Sequence, residues 1–142
     1  AQITAGVAEP RTRLERMIDG IFRHFDRGRE TFRIYLAATH GFPWQIRSSL
    51  GERAFANYQR FVGCVAQVLR DGAEASAWDA GDAHHTAVAI VGALNGLLTV
   101  RHTGETPGAL ETDIRNATEL ILRFLPAPAT RPSRTRSRRR AR

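Results

Sequence analysis

The sequence predicts an all-α fold, an antiparallel bundle of about five main helices. Apolar residues recur at three- and four-residue spacing along most of the chain, which is typical of amphipathic helices. Proline and glycine residues separate these stretches at positions that suit helix starts and stops. Strand-like alternation never extends beyond a few residues. The length of 142 residues fits one domain and leaves little room for a second.

The first two predicted helices each carry one apolar face. Pro10 suits the first helical position, and the segment Asp26 to Arg29 ends this helix. The apolar residues between them are Leu14, Met17, Ile18, Ile21, Phe22 and Phe25. The second helix is predicted from about Glu30 to His40, where Gly41 suits a left-handed C-terminal cap.

Three further helices follow. The third and longest is predicted from Phe42–Pro43 to about Arg70, with Asp71–Gly72 closing it. The fourth, about Asp82 to His102, is the most apolar. The fifth starts near Thr106–Pro107 and runs to about residue 125, because the prolines that follow forbid its continuation.

The fourth and fifth helices are apolar on more sides than one layer of five helices can cover. Gly92 and Gly96, one turn apart, would let another backbone approach closely. They suit either close packing on the fifth helix or pairing of both helices with a second copy across a two-fold axis. For the second arrangement we expect a dimer face of Ile90, Val91, Leu94, Leu98, Ile114, Ala117, Ile121 and Phe124.

The basic charge belongs to the end of the chain. All 21 basic residues are arginine, and seven of them lie in the last twelve positions, where there is no acid. The other 14 arginines balance the 14 acidic residues, so the formal charge of +7 comes from the last twelve positions. A folded surface that grips nucleic acid is therefore disfavoured. We expect residues 126–142 to form a disordered Pro/Arg-rich tail able to contact polyanions non-specifically.

Signals for catalysis, metals and cofactors are weak. The sequence contains no Gly-x-Ser-x-Gly elbow, phosphate-binding glycine loop or His-Glu-x-x-His motif, so we expect no enzyme, metal site or cofactor. His84 and His85 would point about 100° apart on a helix, which favours a solvated or capping role. The single Cys64 excludes an internal disulfide and is expected in the core. Apolar runs stay below the roughly 20 residues of a membrane span.

An aromatic cluster with a few polar neighbours indicates a different kind of site. Asn95 and Thr99 lie one turn apart on an otherwise apolar helix, and a buried amide without a partner costs about 1–3 kcal/mol. They either bond within their own turn or to a neighbouring helix, or they face a cavity that admits a polar ligand group.

The run from Thr31 to Trp44 (TFRIYLAATHGFPW), followed by the long helix through Tyr58 to Gly72, resembles the C-terminal part of a TetR-family transcriptional regulator. The segments Ala87–Leu98 and Leu110–Leu125 resemble that family's last two helices. The resemblance implies a homodimer whose C-terminal domain binds a small, mainly apolar effector. It also implies a cytoplasmic repressor or activator that binds operator DNA through N-terminal helices, which these residues do not include.

On this resemblance, residues 1–8 end a linker helix and residues 9–125 form the effector-binding and dimerisation domain. The residues expected to bind the effector are Phe22, Phe25, Phe32, Tyr35, His40, Trp44, Phe61 and Asn95. The alternative function is a helical dimeric adaptor that binds RNA or other polyanions through its arginine tail.

Overall fold

The computed structural model describes residues 8–104 and 108–128. Within these ranges the chain forms six α-helices and one 3₁₀ turn, and no strand. The helices are α1 Pro10–Arg27, α2 Arg29–Thr39, α3 Ile46–Leu50, α4 Glu52–Glu74, α5 Ala83–Thr103 and α6 Leu110–Arg123, with the 3₁₀ turn at Pro43–Gln45. The all-α prediction is confirmed. The predicted linker end, except for its last residue, and most of the basic tail lie outside the described residues.

The prediction of one continuous helix from about residue 42 to 70 is wrong. The chain first makes the 3₁₀ turn, then the single short helix α3, and then breaks at Gly51. Gly51 has φ +86°, a backbone conformation that side-chain-bearing residues rarely adopt, and its N–H donates to the Arg47 carbonyl at 3.1 Å. The long helix therefore starts only at Glu52 and continues to Glu74.

The core forms where α1, α4, α5 and α6 meet. Leu14, Ile18 and Phe22 follow one another every four residues on α1, and each is almost fully buried. This stripe packs on α4 and α6, while α5 packs mainly on α4. Cys64 lies on the outer side of α4 and is exposed, so its predicted place in the core is wrong.

Trp78 fastens the connection between α4 and α5. Its indole is 5% exposed, and Nε1–H donates to the Leu69 carbonyl at 3.0 Å. The ring lies directly against Gly72, where a β-carbon would come within 2.2 Å of it. The next residue, Asp79, donates its N–H to the Pro126 carbonyl at 2.9 Å. One tryptophan thus positions a loop that also anchors the segment after α6.

Arg101 joins three helices through its buried guanidinium group, which is 6% exposed. Nε and Nη2 donate to Oδ1 of Asp26 at the end of α1, at 3.1 and 2.7 Å. Nη1 donates to Oδ2 of Asp113 on α6 at 2.6 Å and to the Gly108 carbonyl at 2.8 Å. We refer to Arg101, Asp26, Asp113 and Gly108 as the Arg101 cluster.

The Arg101 cluster also sets how one carboxylate titrates. The hydrogen bonds from Arg101 hold the pKa of Asp26 below its ordinary value, against burial, which acts in the opposite direction. A carboxylate with a lowered pKa stabilises the fold above its unfolded-state pKa and loses that contribution as the pH falls through its folded-state pKa.

The first prediction compares two glycines on α4. Gly72→Ala should lower the free energy of unfolding by about 2 kcal/mol, because the new methyl group overlaps the Trp78 ring. Gly63→Ala is the control, since a β-carbon there meets nothing within 4 Å and removal of a helical glycine stabilises by about 0.5–1 kcal/mol. Urea denaturation at one protein concentration measures both changes. Equal effects at the two positions would contradict the role given to Trp78.

The second prediction concerns the Arg101 cluster. Arg101→Met should lower the free energy of unfolding at pH 7 by about 3 kcal/mol, because two partly buried carboxylates lose their only cation in the cluster. The same change at exposed Arg115 on α6 should cost less than about 0.5 kcal/mol.

The pH dependence of the stability difference between wild type and Arg101→Met provides a second measurement. As the pH falls below the ordinary aspartate pKa of about 4 and towards the lower pKa of folded Asp26, wild type progressively loses the stabilisation that Arg101→Met lacks at every pH. The stability gap between the two proteins should therefore narrow on acidification. A gap that stays constant or widens between pH 5 and pH 3 would show that the Asp26–Arg101 pair is not its source.

Candidate functional site

A cavity of about 310 Å³ lies between α1, α2, α3, α4 and α5. Its aromatic walls come from three helices and consist of Phe25, Phe32, Tyr35, Tyr58 and Phe61. Its aliphatic lining consists of Ile21, Ile46, Leu50, Val91, Leu94 and Leu98, with Pro43 and Ala54 beside them. This composition, mostly apolar with a few polar groups, is typical of small-molecule sites.

Three polar side chains complete the lining: His24, Asn57 and Asn95. His24, Leu50 and Asn57 are exposed, so the mouth of the cavity opens where α1, α3 and α4 meet. Phe32 and Val91, by contrast, are buried and mark the inner end. The cavity therefore runs from a rim that includes polar groups to an aromatic interior.

Asn95 reaches across to a neighbouring element. Its Nδ2 donates to the Gly41 carbonyl, in the turn after α2, at 3.0 Å. Thr99 bonds back to its own helix, since its hydroxyl donates to the Asn95 carbonyl at 2.8 Å. The sequence left open whether these two side chains bond within their helix, bond to a neighbouring element or face a cavity. Thr99 bonds within its own helix. Asn95 bonds to a neighbouring segment and also borders the cavity.

The two tyrosine phenols are the other polar groups of the interior. Burial raises the pKa of both Tyr35 and Tyr58, so both stay protonated at neutral pH. The Tyr35 phenol lies beside the Asn95 amide and near enough to Tyr58 for a charge there to raise its pKa further. Tyr35, Tyr58 and Asn95 thus form one polar corner.

Aromatic contacts link the cavity wall to the end of α5. The Phe32 ring lies 4.8 Å from Phe25 and 4.7 Å from His102, measured between ring centroids. Burial lowers the pKa of His102, and the charges of Arg29 and Arg101 lower it further. The ring behind Phe32 is therefore neutral at pH 7 and packs as an aromatic side chain.

A second concave surface lies outside the bundle, between α5 and α6. This groove has a volume of about 480 Å³, and Phe22 and Ala117 lie in its floor. Leu97 and Val100 from α5 and Leu120 from α6 line it together with the polar residues Asn116 and Glu119. The most exposed apolar side chains along it and at its end are Val100, 70% exposed, and Phe124, 52% exposed.

Residues 10–126 match the family model described as the C-terminal domain of BetI-type transcriptional repressors. This match covers most of the chain. The chain belongs to this TetR-type family. The resemblance inferred from the sequence is thereby confirmed. A search of curated proteins finds no match to the chain, and a search of solved structures finds none either.

In this TetR-type domain, five of the eight residues predicted to bind an effector come together. Phe25, Phe32, Tyr35, Phe61 and Asn95 all line the cavity. Their positions agree with the hypothesis, which stays a prediction because no ligand is present.

The other three predicted residues lie elsewhere. Phe22 is almost fully buried with Leu14 and Ile18 in the core stripe of α1, and it borders the floor of the α5–α6 groove rather than the cavity. His40 is exposed after the end of α2, with φ +52°. Trp44 is 70% exposed and stacks on Phe42 at 4.3 Å. The 3₁₀ turn, which the sequence did not indicate, directs Trp44 away from the cavity.

The sequence prediction missed the cavity residues His24, Asn57 and Tyr58. Tyr58 precedes Phe61 by three residues on α4, so helical spacing alone would have placed it beside a predicted site residue. His24 and Asn57 have no comparable signal, because they lie on faces that the sequence pattern presents as solvated.

The predicted dimer face also needs correction. Seven of its residues are 0–8% exposed and belong to the chain's own core: Ile90, Val91, Leu94, Leu98, Ile114, Ala117 and Ile121. Only Phe124 is exposed. The physical reason is that α6 turns its apolar side inward onto α1, while α5, which is apolar all round, packs the side carrying these residues mainly on α4. What a second copy could contact is the opposite side of α5, with Val88, Gly92, Gly96 and Val100.

Gly92 and Gly96 lie on this outer side of α5. A β-carbon at either position would meet nothing within 4 Å, so neither glycine serves close packing on α6 within the chain. By length and composition α5 is also long and apolar enough to cross a membrane, and in this structure it packs against α1, α2, α4 and α6.

Among the described residues, no three His, Cys, Asp or Glu side chains converge as metal ligands would. Asp82 instead caps α5, because its Oδ1 accepts the His85 N–H at 2.9 Å and lies 3.1 Å from His85 Nδ1. The prediction of a solvated or capping role for this pair agrees with the structure, since both histidines are exposed and His85 donates its backbone N–H to the Asp82 cap.

Proposed function

We propose that this chain is the effector-sensing and dimerisation domain of a cytoplasmic TetR-type transcriptional regulator without enzymatic activity. A small, mainly apolar molecule in the cavity would change the DNA affinity of helix-turn-helix units preceding these residues in the intact regulator. The observation that carries the proposal is the 310 Å³ aromatic cavity within a domain of this family.

The position of the cavity supports a sensing role. Its lining comes from five of the six described helices, so an occupant touches nearly every element of the bundle at once. A ligand shifts a conformational equilibrium only as far as it binds one state better than the other. A site built from several helices allows the ligand to bind two conformations with different affinity, because any relative movement of these helices changes the ligand's contacts.

Helices α5 and α6 support the dimerisation role. A helix-interior glycine costs about 0.5–1 kcal/mol relative to alanine, and the chain itself gives Gly92 and Gly96 no contact that needs the missing β-carbon. A second backbone lying on this face would explain both glycines and would cover Val88 and Val100. The α5–α6 groove offers this copy a concave surface next to the glycines.

The third prediction tests the cavity with N-phenyl-1-naphthylamine, a neutral dye that fluoresces in apolar surroundings. The wild-type chain should bind it, and Ala54→Trp should abolish binding because the indole fills the mouth between α3 and α4. Ala56→Trp, two residues away on the exposed side of α4, is the matched control and should bind like wild type. Circular dichroism confirms that each variant folds.

Deletion of residues 127–142 should leave dye binding unchanged, since the cavity lining comes from residues 21–98. The adaptor alternative, favoured by the acid-free arginine tail, instead predicts that the main ligand is a polyanion such as RNA and that this deletion removes its binding. Dye binding that Ala54→Trp does not reduce would place the dye outside the cavity and remove the support for a sensor.

The fourth prediction tests the dimer by sedimentation equilibrium at micromolar concentration. Wild type should be a dimer, and Gly96→Arg should be a folded monomer, because the new side chain has open space in the chain but obstructs a second backbone. Gly63→Arg is the control, since that glycine also has open space and lies on the exposed side of a different helix, α4. A monomeric wild type, or a dimeric Gly96→Arg, would contradict the proposed interface.

A further inference from the structure

The sixteen residues that line the cavity include no aspartate, glutamate or arginine. The nearest carboxylate along the chain from a lining residue, Asp26, is already engaged by Arg101. The titratable His24 lies at the exposed rim, so a charged ligand in the interior would give up its hydration without meeting an opposite charge, which is costly in apolar surroundings. This lining favours an uncharged molecule.

The polar corner determines what that molecule needs to present. Tyr35 and Tyr58 each carry one O–H donor, and burial keeps both phenols protonated by raising the pKa. Thr39 and Asn95 lie close enough to the Tyr35 phenol to act on its pKa, and the Asn95 amide nitrogen already donates to the Gly41 carbonyl. The two phenols can therefore each donate an O–H to a ligand, and a ligand acceptor such as a carbonyl oxygen complements them.

The aromatic walls raise one competing ligand class. Rings such as those of Phe25, Phe32 and Phe61 can also hold an organic cation through their faces. Two phenolic O–H groups in the same space, however, present positive hydrogens, and the lining supplies no carboxylate to offset the ligand's charge. An acceptor oxygen uses these hydrogens, whereas a quaternary ammonium group has no acceptor to offer them.

We propose that the cavity binds an uncharged, largely aromatic molecule with one carbonyl or ether oxygen, and that Tyr35 and Tyr58 determine this specificity by donating to that oxygen. The inference rests on the proposed effector function of the same cavity. In this proposal the two phenols recognise the ligand oxygen, and the surrounding aromatic rings pack against the apolar part of the ligand.

The fifth prediction uses four probes with one bicyclic ring system: 2-acetylnaphthalene, 2-ethylnaphthalene, 2-naphthoate and a 2-naphthyltrimethylammonium salt. Equilibrium dialysis against the wild-type chain should rank the ketone first, about five- to tenfold tighter than the hydrocarbon, as expected for one or two neutral hydrogen bonds. The anion and the cation should both bind at least tenfold more weakly than the ketone.

Tyr35→Phe and Tyr58→Phe, singly and together, then test the donors. The ketone's advantage over the hydrocarbon should shrink to less than twofold in the double variant, while the affinity for the hydrocarbon stays within twofold of wild type. The hydrocarbon thus serves as an internal control for the shape of the cavity. If the double variant does not fold, the wild-type ranking of the four probes decides alone.

The outcomes separate this inference from the proposed function. If the anion or the cation binds tightest, or if ketone and hydrocarbon bind equally, the specificity inference is overturned while the cavity remains a binding site. If none of the four probes binds and the neutral dye also fails to bind, the proposed sensing function is overturned together with it.

Discussion

The buried guanidinium of Arg101 is the constraint on which the arrangement of this domain depends. A cation that is 6% exposed is tolerated only with its charge paired and its hydrogens bonded, and Asp26, Asp113 and the Gly108 carbonyl supply these partners. Each partner comes from a different segment. The end of α1, the start of α6 and the connection before α6 are therefore all fixed relative to one point on α5.

This constraint lies next to the cavity. Phe25 contributes a ring to the cavity wall, and Asp26, the following residue on α1, bonds to Arg101. Arg101 in turn borders the α5–α6 groove. Because adjacent residues in one helical turn move together, a molecule that displaces Phe25 also displaces Asp26. In the proposed sensor, the occupied cavity and the outer face of α5 are thus connected through one ion pair.

Helical periodicity was sufficient to predict the element order and most of the boundaries. The stripe Leu14, Ile18, Phe22 repeats with the period of a helix and is buried as that period requires. The break at Gly51 was missed because a single glycine in an apolar repeat has no side chain that signals which φ it takes. The 3₁₀ turn at Pro43–Gln45 was missed as well, and it directs Trp44 away from the cavity. The Arg101 cluster joins residues 75 and 12 positions apart, a pairing that no local pattern contains.

The inner and outer faces of α5 could not be assigned for a related reason. Where a helix is apolar all round, its hydrophobicity carries no information about which side meets the core. The contacts supply that information, with Ile90, Leu94 and Leu98 buried and Val88 and Val100 exposed. Gly92 and Gly96 then acquire a specific meaning, since their missing β-carbons serve no contact within the chain. Gly20 and Gly63 have the same open space but each stands alone, whereas Gly92 and Gly96 lie one turn apart between the exposed Val88 and Val100. In the proposed dimer, a second backbone lies along this strip of α5.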